Sequence, residues 1–407
     1  MDAETVRQLT APEGWTLLQA LPPYDPDAAL RLQTQLREAG YDPALVSAAL
    51  TQSRLRARAH GKFGEFADGM LLTPDGLEQA TRLQVAAVHA QRFASAGIER
   101  VHDLGCGIGS DAMALASLDL AVTGVDADEA TALVAASNLR HWPSCTVTTG
   151  RAEEVDLAPI AGDARVGVWL DPARRTPGVA DVTGRTRRTF RLADLSPSWE
   201  VVQEVAATVP ATGAKLSPGM PHGALPPGTE AQWVSWDGEV VECAIWWGPL
   251  VRTAGRTALV LGPRALPTLV TDPGAGPTPA CASLADVGPY LVEPDKAVVR
   301  AGLVGAAVAA VDGLELDPGV GYVSADRPGA LPYARAHAVQ EVMPYHLKTL
   351  RAWCRDRGVG RLTIKKRGST IDPDHLQKSL RLKGSAKATI VLTRVAGQQV
   401  VLAVTPA

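Results

Sequence analysis

Residues 101–116 read VHDLGCGIGSDAMALA. The short apolar run Val101 to Leu104 has the length of a buried strand, and the residues from Asp111 onward have the composition of a helix. Between them stand Gly105, Gly107 and Gly109. Glycines there let the backbone turn sharply and approach a ligand, while the helix N-terminus offers amide N–H groups and a partial positive charge. A dinucleotide fingerprint would be G-x-G-x-x-G, with its third glycine at position 110, where this chain has Ser110. The spacing is instead G-x-G-x-G, preceded by Asp103. An acid at that point would repel a pyrophosphate and suits the cationic amino group of a methionine moiety.

Outward from this motif, strands and helices alternate. A strand is expected over Ala121 to Val125, a helix over Glu129 to Leu139, and strands over Thr146 to Thr149 and Val166 to Leu170. A long connection, a helix from Trp199 to Val205 and a strand near Ala214 follow. This alternation predicts an α/β fold with a parallel, Rossmann-like sheet. Ala231 to Trp236 and Val240 to Trp247 flank Asp237-Gly238, which predicts an antiparallel hairpin at the end of that sheet. Residues 1–97 read as a helical N-terminal domain, with its last helix over Leu77 to Ala96. The sheet domain is expected over 98–260, a Pro- and Gly-rich linker over 261–282, and an α+β domain over 283–407. Helices at Ala297 to Val311 and Tyr345 to Arg357 and strands at Arg361 to Lys366, Ala388 to Val395 and Gln399 to Val404 make up the last.

In a doubly wound sheet, ligands lie beyond the C-terminal ends of the strands. Asp126 ends the second strand, 17 residues past Gly109, where a carboxylate can accept both hydroxyls of an adenosine ribose. After the third strand, the backbone of Ala152 and the side chain of Glu153 can meet an adenine edge. The fourth strand ends in WLDPARRTP, residues 169–177. Asp171 and the carbonyl of Pro172 are acceptors able to hold an amine or ring N–H, and Arg174 can lay its guanidinium on a base. Arg175, Arg187 and Arg188 in the loop beyond suit phosphate recognition, with Lys215 on the same rim. Asp171 as a loop cap and the arginines as a solvated loop are the structural alternatives.

The net charge of −3 hides an asymmetry. Residues 335–407 carry 14 Lys and Arg against 4 Asp and Glu, whereas the rest of the chain carries 26 against 39. A basic segment joined to an acidic body points to polyanion binding. Lys365, Lys366 and Arg367 are the candidate contacts. The N-terminal residues show no signal-peptide pattern, and the longest apolar run, 301–311, is too short to span a bilayer. The five cysteines form no C-x-x-C pair and the histidines no H-x-x-x-H. A cytoplasmic protein with no membrane partner and no metal is expected, and its oligomeric state is left open.

Taken together, GLEQATRLQVAAVHA (76–90), DLGCGIGSDAMALA (103–116), GVDAD (124–128), LDPARR (170–175), KLSPG (215–219), YLVEPDKAVVRAGL (290–303) and IKKRG (364–368) resemble bacterial class I S-adenosylmethionine-dependent methyltransferases that carry a C-terminal THUMP-like domain. The resemblance implies S-adenosyl-L-methionine as cofactor and a helical N-terminal domain whose Gln79 and Thr81 lie near the donor pocket. It also implies a C-terminal module similar to domains that bind structured RNA. Amino-methylating enzymes of nucleic acids often carry D/N-P-P-Y/F; here Ala173 and Arg174 stand at the last two positions. The leading expectation is N-methylation of a base in transfer or ribosomal RNA. A methyltransferase for a small molecule or protein, and an RNA-binding protein with an inactive methyltransferase fold, are the alternatives.

Overall fold

The structure, a computed structural model, describes residues 1–174, 191–263, 265–274 and 276–407, the side chain of Arg174 excepted. Two compact units divide the chain. The first holds 1–230 and 244–252, the second 231–243 and 253–407.

The first unit begins with six helices: α1 (Ala3–Thr10), α2 (Pro12–Ala20), α3 (Ala29–Glu38), α4 (Pro43–Phe63), α5 (Pro74–Gln79) and α6 (Leu83–Ser95). Their starts are written in the sequence. Asp2, Asp42 and Thr73 each accept an N–H of the first turn, and proline follows directly at 43 and 74. Val6, Leu9, Leu17, Leu55 and Phe63 bury their side chains in the same core as Val101, Leu115, Val122 and Trp169 of the sheet layer. The boundary expected at residue 97 is therefore no break in the packing. The expected helix Leu77 to Ala96 is two helices, interrupted between Gln79 and Leu83.

The sheet of this unit is built from β1 (Arg100–Leu104), β2 (Ala121–Asp126), β3 (Thr146–Thr149) and β4 (Val166–Leu170), with α7 (Ser110–Ala116) and α8 (Glu129–Asn138) as crossovers. Two short strands, β5 (Ala173–Arg174) and β6 (Leu195–Ser196), pair with each other antiparallel. Helix α9 (Trp199–Thr208) and strand β7 (Thr212–Leu216) follow. The parallel order is β3-β2-β1-β4-β7, so the winding direction reverses between β1 and β4. That switch point is where a doubly wound sheet opens a ligand crevice.

The second unit contains most of β8 (Glu230–Trp236) and the first part of β9 (Glu239–Trp246), joined at Asp237 and Gly238 with φ of 50° and 81°. Two left-handed residues give the hairpin turn that the Asp-Gly pair demands. The first part of the expected linker is structured, because β10 (Gly255–Gly262) pairs antiparallel with β11 (Ala265–Thr271). A seven-stranded sheet follows, formed by β12 (Tyr290–Pro294), β13 (Leu314–Glu315), β14 (Val323–Ala325), β15 (Ala334–Pro344), β16 (Val359–Lys366), β17 (Ala386–Val395) and β18 (Gln398–Pro406). Its order is β13-β14-β12-β15-β18-β17-β16, with the β16–β17 pair parallel. Helices α10 (Lys296–Arg300) and α11 (Val304–Val311) replace the single helix expected over 297–311, separated by Gly302 at φ 71°. Helices α12 (Leu347–Asp356) and α13 (Pro373–Leu380) pack Leu350 and Leu376 on Ile390 and Leu392, while Val391 and Leu402 line the opposite core with Leu291 and Tyr322. Alternate residues of β17 thus serve two cores, the period-2 signature of a strand buried on both faces.

Candidate functional site

Strand register assembles the site. Leu104 lies opposite both Val125 and Leu170, and Leu170 opposite Ala214. One residue further along each strand, Gly105, Asp126, Asp171 and Lys215 therefore stand on one edge. Asp103 sits just beneath them, in β1.

The glycine loop is shaped by contacts as well as by φ. Gly105, Gly107 and Gly109 have φ of 89°, 55° and 82°, all in the left-handed region that side chains disfavour. A Cβ at Gly105 would meet the Asp171 carbonyl oxygen at 3.2 Å. The loop is pinned from outside: Asn138 of α8 donates to the Ile108 carbonyl (2.8 Å) and the Leu71 carbonyl (3.0 Å). Gly76 of α5 touches Ile108 so closely that a Cβ would lie 2.3 Å from its methyl group.

Asp103 is 1% exposed, and neither carboxylate oxygen has a hydrogen-bond partner among the described residues. Burial pushes its pKa well above the ordinary carboxylate range, and the nearby carboxylates of Asp111, Asp171 and Asp126 add to this. Such a group is costly unless a donor or cation meets it. The Asp126 carboxylate accepts the N–H of Gly107 and of Asp128, each at 3.0 Å. Burial raises its pKa, while these two bonds offset part of the rise. Two oxygens fixed at a strand end by backbone amides retain lone pairs for a diol.

Asp111, in the first turn of α7, lies 2.8 Å from Nδ1 of the buried His89. Its burial would raise the pKa, but hydrogen bonds from His89 and Thr81 and the charge of Lys215 bring it below the ordinary value. The His89 ring lies 4.4 Å from that of Trp169. Lys215 pairs with the Asp171 carboxylate and donates to Thr81 Oγ1 at 3.1 Å and to the Gln79 carbonyl at 3.5 Å. Lys62 of α4 donates to the carbonyls of Leu77, Glu78 and Ala80 at 2.7, 2.7 and 2.9 Å. Burial lowers its pKa to about 8, with Arg82 and Lys215 contributing.

Of the residues singled out from the sequence, Gln79, Thr81, Asp103, Gly105, Gly107, Gly109, Asp126, Asp171, Pro172 and Lys215 come together at this edge. Ala152 and Glu153 follow β3 in a tight turn, with Gly150 N–H donating to the Asp126 carbonyl (2.9 Å) and Glu153 pairing with Arg151. Arg175, Arg187 and Arg188 lie outside the described residues, and Arg174 is described only as backbone of β5. In the second unit, Lys365 pairs with Glu293. Arg367 donates to the Gly321 carbonyl (2.7 Å) and stacks on Tyr322, while Lys366 is exposed. Sequence reasoning missed His89, Asp111, Lys62 and Asn138. Asp111 carried a signal, an acid two residues past the last loop glycine; the others carried none.

Two family models match the chain. Residues 334–406 match a THUMP domain-like model, and residues 2–59 match a domain of unknown function. Two curated proteins of Mycobacterium tuberculosis, from strains CDC 1551 and H37Rv, are each 33% identical over 353 residues, covering 84% of this chain and 90% of theirs. Both are named uncharacterized S-adenosylmethionine-dependent methyltransferases. A solved structure from Porphyromonas gingivalis W83, described as a methyltransferase, aligns with a TM-score of 0.73 at 19% identity. It covers 95% of this chain and 100% of that one. This last likeness speaks for the fold.

Proposed function

Because the chain belongs to the S-adenosylmethionine-dependent methyltransferases, a family it shares with relatives 33% identical over nine-tenths of their length, we propose that its methyl acceptor is a nitrogen of an RNA base. When bound, S-adenosylmethionine supplies an electrophilic methyl group on a positively charged sulfur. The site fits that donor: the buried carboxylate of Asp103, without a hydrogen-bond partner among the described residues, meets the requirement of a cationic amino group, and Asp126 that of a ribose diol. Ala152 and Glu153 are assigned to the adenine edge, and Gln79 and Thr81 to the wall of the pocket.

Asp171, at the same edge, and the carbonyl of the adjoining Pro172 are assigned to hold the acceptor N–H, aligning the nitrogen lone pair with the methyl group; alignment alone supplies several kcal/mol of such a barrier. The nitrogen forms its bond to the methyl carbon as the carbon–sulfur bond breaks, the bonding electrons leaving with sulfur. A methylated base nitrogen still carrying its proton is strongly acidic, so the carboxylate of Asp171 suffices to receive that proton. The observation that carries the RNA reading is the basic segment 335–407, nearly all of it within the match to the THUMP domain-like model. An excess of cations there suits phosphate contacts made in the cytoplasm.

The test is methyl transfer from labelled donor to RNA taken from cells lacking the gene, followed by nucleoside mass spectrometry. One modified base should gain a methyl group, and Asp171→Ala should lower its formation tens-fold or more while donor affinity stays nearly intact. Label appearing only in protein or in small molecules would overturn the RNA assignment.

A further inference from the structure

The Asp171 carboxylate does not stand alone at the sheet edge. Lys215 is paired with it from the neighbouring strand, is 14% exposed at its side chain, and reaches Thr81 Oγ1 and the Gln79 carbonyl. Thr81 in turn bonds Asp111, and Asp111 contacts His89. Among the described residues, Asp103 of β1 lies within electrostatic reach of both members of the pair, and Asp111 of α7 and Lys62 of α4 within reach of Lys215; Asp126 of β2 acts in turn on Asp103, and His89 of α6 on Asp111. Three of these five groups, Asp103, Asp111 and Asp126, are carboxylates. Nearby carboxylates press Asp171 toward its protonated form, and the Lys215 ammonium in contact with it favours the ionised one.

We propose that Lys215 is a positioning residue for methyl transfer, holding Asp171 ionised and turned toward the acceptor, and tying it through Thr81 to the donor pocket. The inference rests on the assignment of Asp171 as the group that holds the acceptor N–H. An ionised carboxylate only accepts hydrogen bonds. Lys215 thus restricts the acceptor to a group that presents an N–H, an amine or a ring N–H. It also makes productive binding depend on the ionisation of one carboxylate. As pH falls through the Asp171 pKa, that carboxylate turns into a donor and the acceptor is no longer aligned.

Lys215→Gln keeps a side chain able to donate to Thr81 but removes the charge, and Lys215→Arg keeps the charge. In Lys215→Gln, the acidic limb of the kcat/KM profile should move up by about 1–3 pH units, the effect of losing an opposite charge in contact. Its kcat should fall at least tenfold at neutral pH, with donor affinity by calorimetry within about threefold of wild type. Lys215→Arg should return the limb toward its wild-type position. A folded Lys215→Gln with the wild-type pH profile would overturn the proposal, as would a loss of activity fully accounted for by weaker donor binding. Asp171→Asn separates the two levels. If it is inactive while Lys215→Gln keeps the wild-type profile, the role of Lys215 fails and the Asp171 assignment stands; if Asp171→Asn is fully active, both fail. Should Lys215→Gln not fold, the same displacement of the limb is required of Lys215→Met rescued at saturating donor.

Discussion

Asp103 is held by the fold at a cost, since a carboxylate buried to 1% exposure with no hydrogen-bond partner among the described residues destabilises the protein whenever it is charged. Its folded pKa is raised above the unfolded value. Its contribution to stability is therefore fully present below the unfolded pKa of about 3.9 and is lost as pH rises through the folded one. Asp103→Asn without donor should melt close to wild type at acid pH and above it at alkaline pH, as thermal unfolding across the pH range would show. The same variant should bind S-adenosylmethionine about 10- to 100-fold more weakly, the loss expected when a charged hydrogen bond goes. A variant less stable than wild type at alkaline pH, with normal affinity, would remove Asp103 from the donor site. Asp126→Ala should weaken donor binding by about 1.5 to 3 kcal/mol for the same reason, measured by calorimetry. Asp103 and Asp126 were legible in the sequence because strand ends next to glycines expose what they carry. His89 was not, since one histidine inside an apolar helix shows no partner until α6 and α7 are packed together.

At the scale of elements, GLEQATRLQVAAVHA has no glycine or proline inside the run from Leu77 to Ala90 and reads as one helix. The break after Gln79 comes from outside the run. Lys62 takes the carbonyls of Leu77, Glu78 and Ala80, and Lys215 reaches that of Gln79. The last three carbonyls of α5 and that of the capping Ala80 are thereby met by lysines from α4 and β7, while the Gly76 carbonyl accepts the Ala80 N–H. No window of local sequence contains that information, whereas the β–glycine loop–α unit, fixed by neighbouring residues, was read to within a residue or two. Removing the cap tests it. Lys62→Met should cost about 1–3 kcal/mol, as expected for backbone acceptors left short of partners, measured by denaturant unfolding. Because Thr81 lies in the freed segment, donor affinity should fall with it. An unchanged midpoint would show that the break is maintained by packing alone. The strand β15 was missed for a different reason: ARAHAVQEVMP alternates with alanines, which signal neither a strand face nor a core.

At the scale of the molecule, the division into units follows contacts that a linear reading cannot order, with 231–243 belonging to the unit of 253–407 rather than to its flanks. Charge, by contrast, was legible, and the structure refines its use. Lys365 is engaged with Glu293. Burial would raise that carboxyl, but bonds from His337 and Lys365 and the charge of Arg367 hold it down to about 2. Arg367 is likewise committed to Gly321 and Tyr322. Replacing either would disturb the sheet as well as any RNA contact, so the exposed cations Lys366, Lys383 and Lys387 give the cleaner test. If they meet phosphates, each contact releases counterions, and log affinity for RNA should fall with log salt by about 0.7 to 0.9 per contact. Replacing all three by Ala should then raise the Michaelis constant for RNA and flatten the salt slope by up to about 2 to 3. S-adenosylmethionine affinity and thermal stability should stay at wild-type values, because exposed side chains outside the donor edge contribute little to either. A solvated face predicts no change in slope or affinity. A triple variant that captures RNA as the wild type does, at every salt concentration, would take this segment out of RNA recognition and turn the search for the acceptor toward proteins or small molecules.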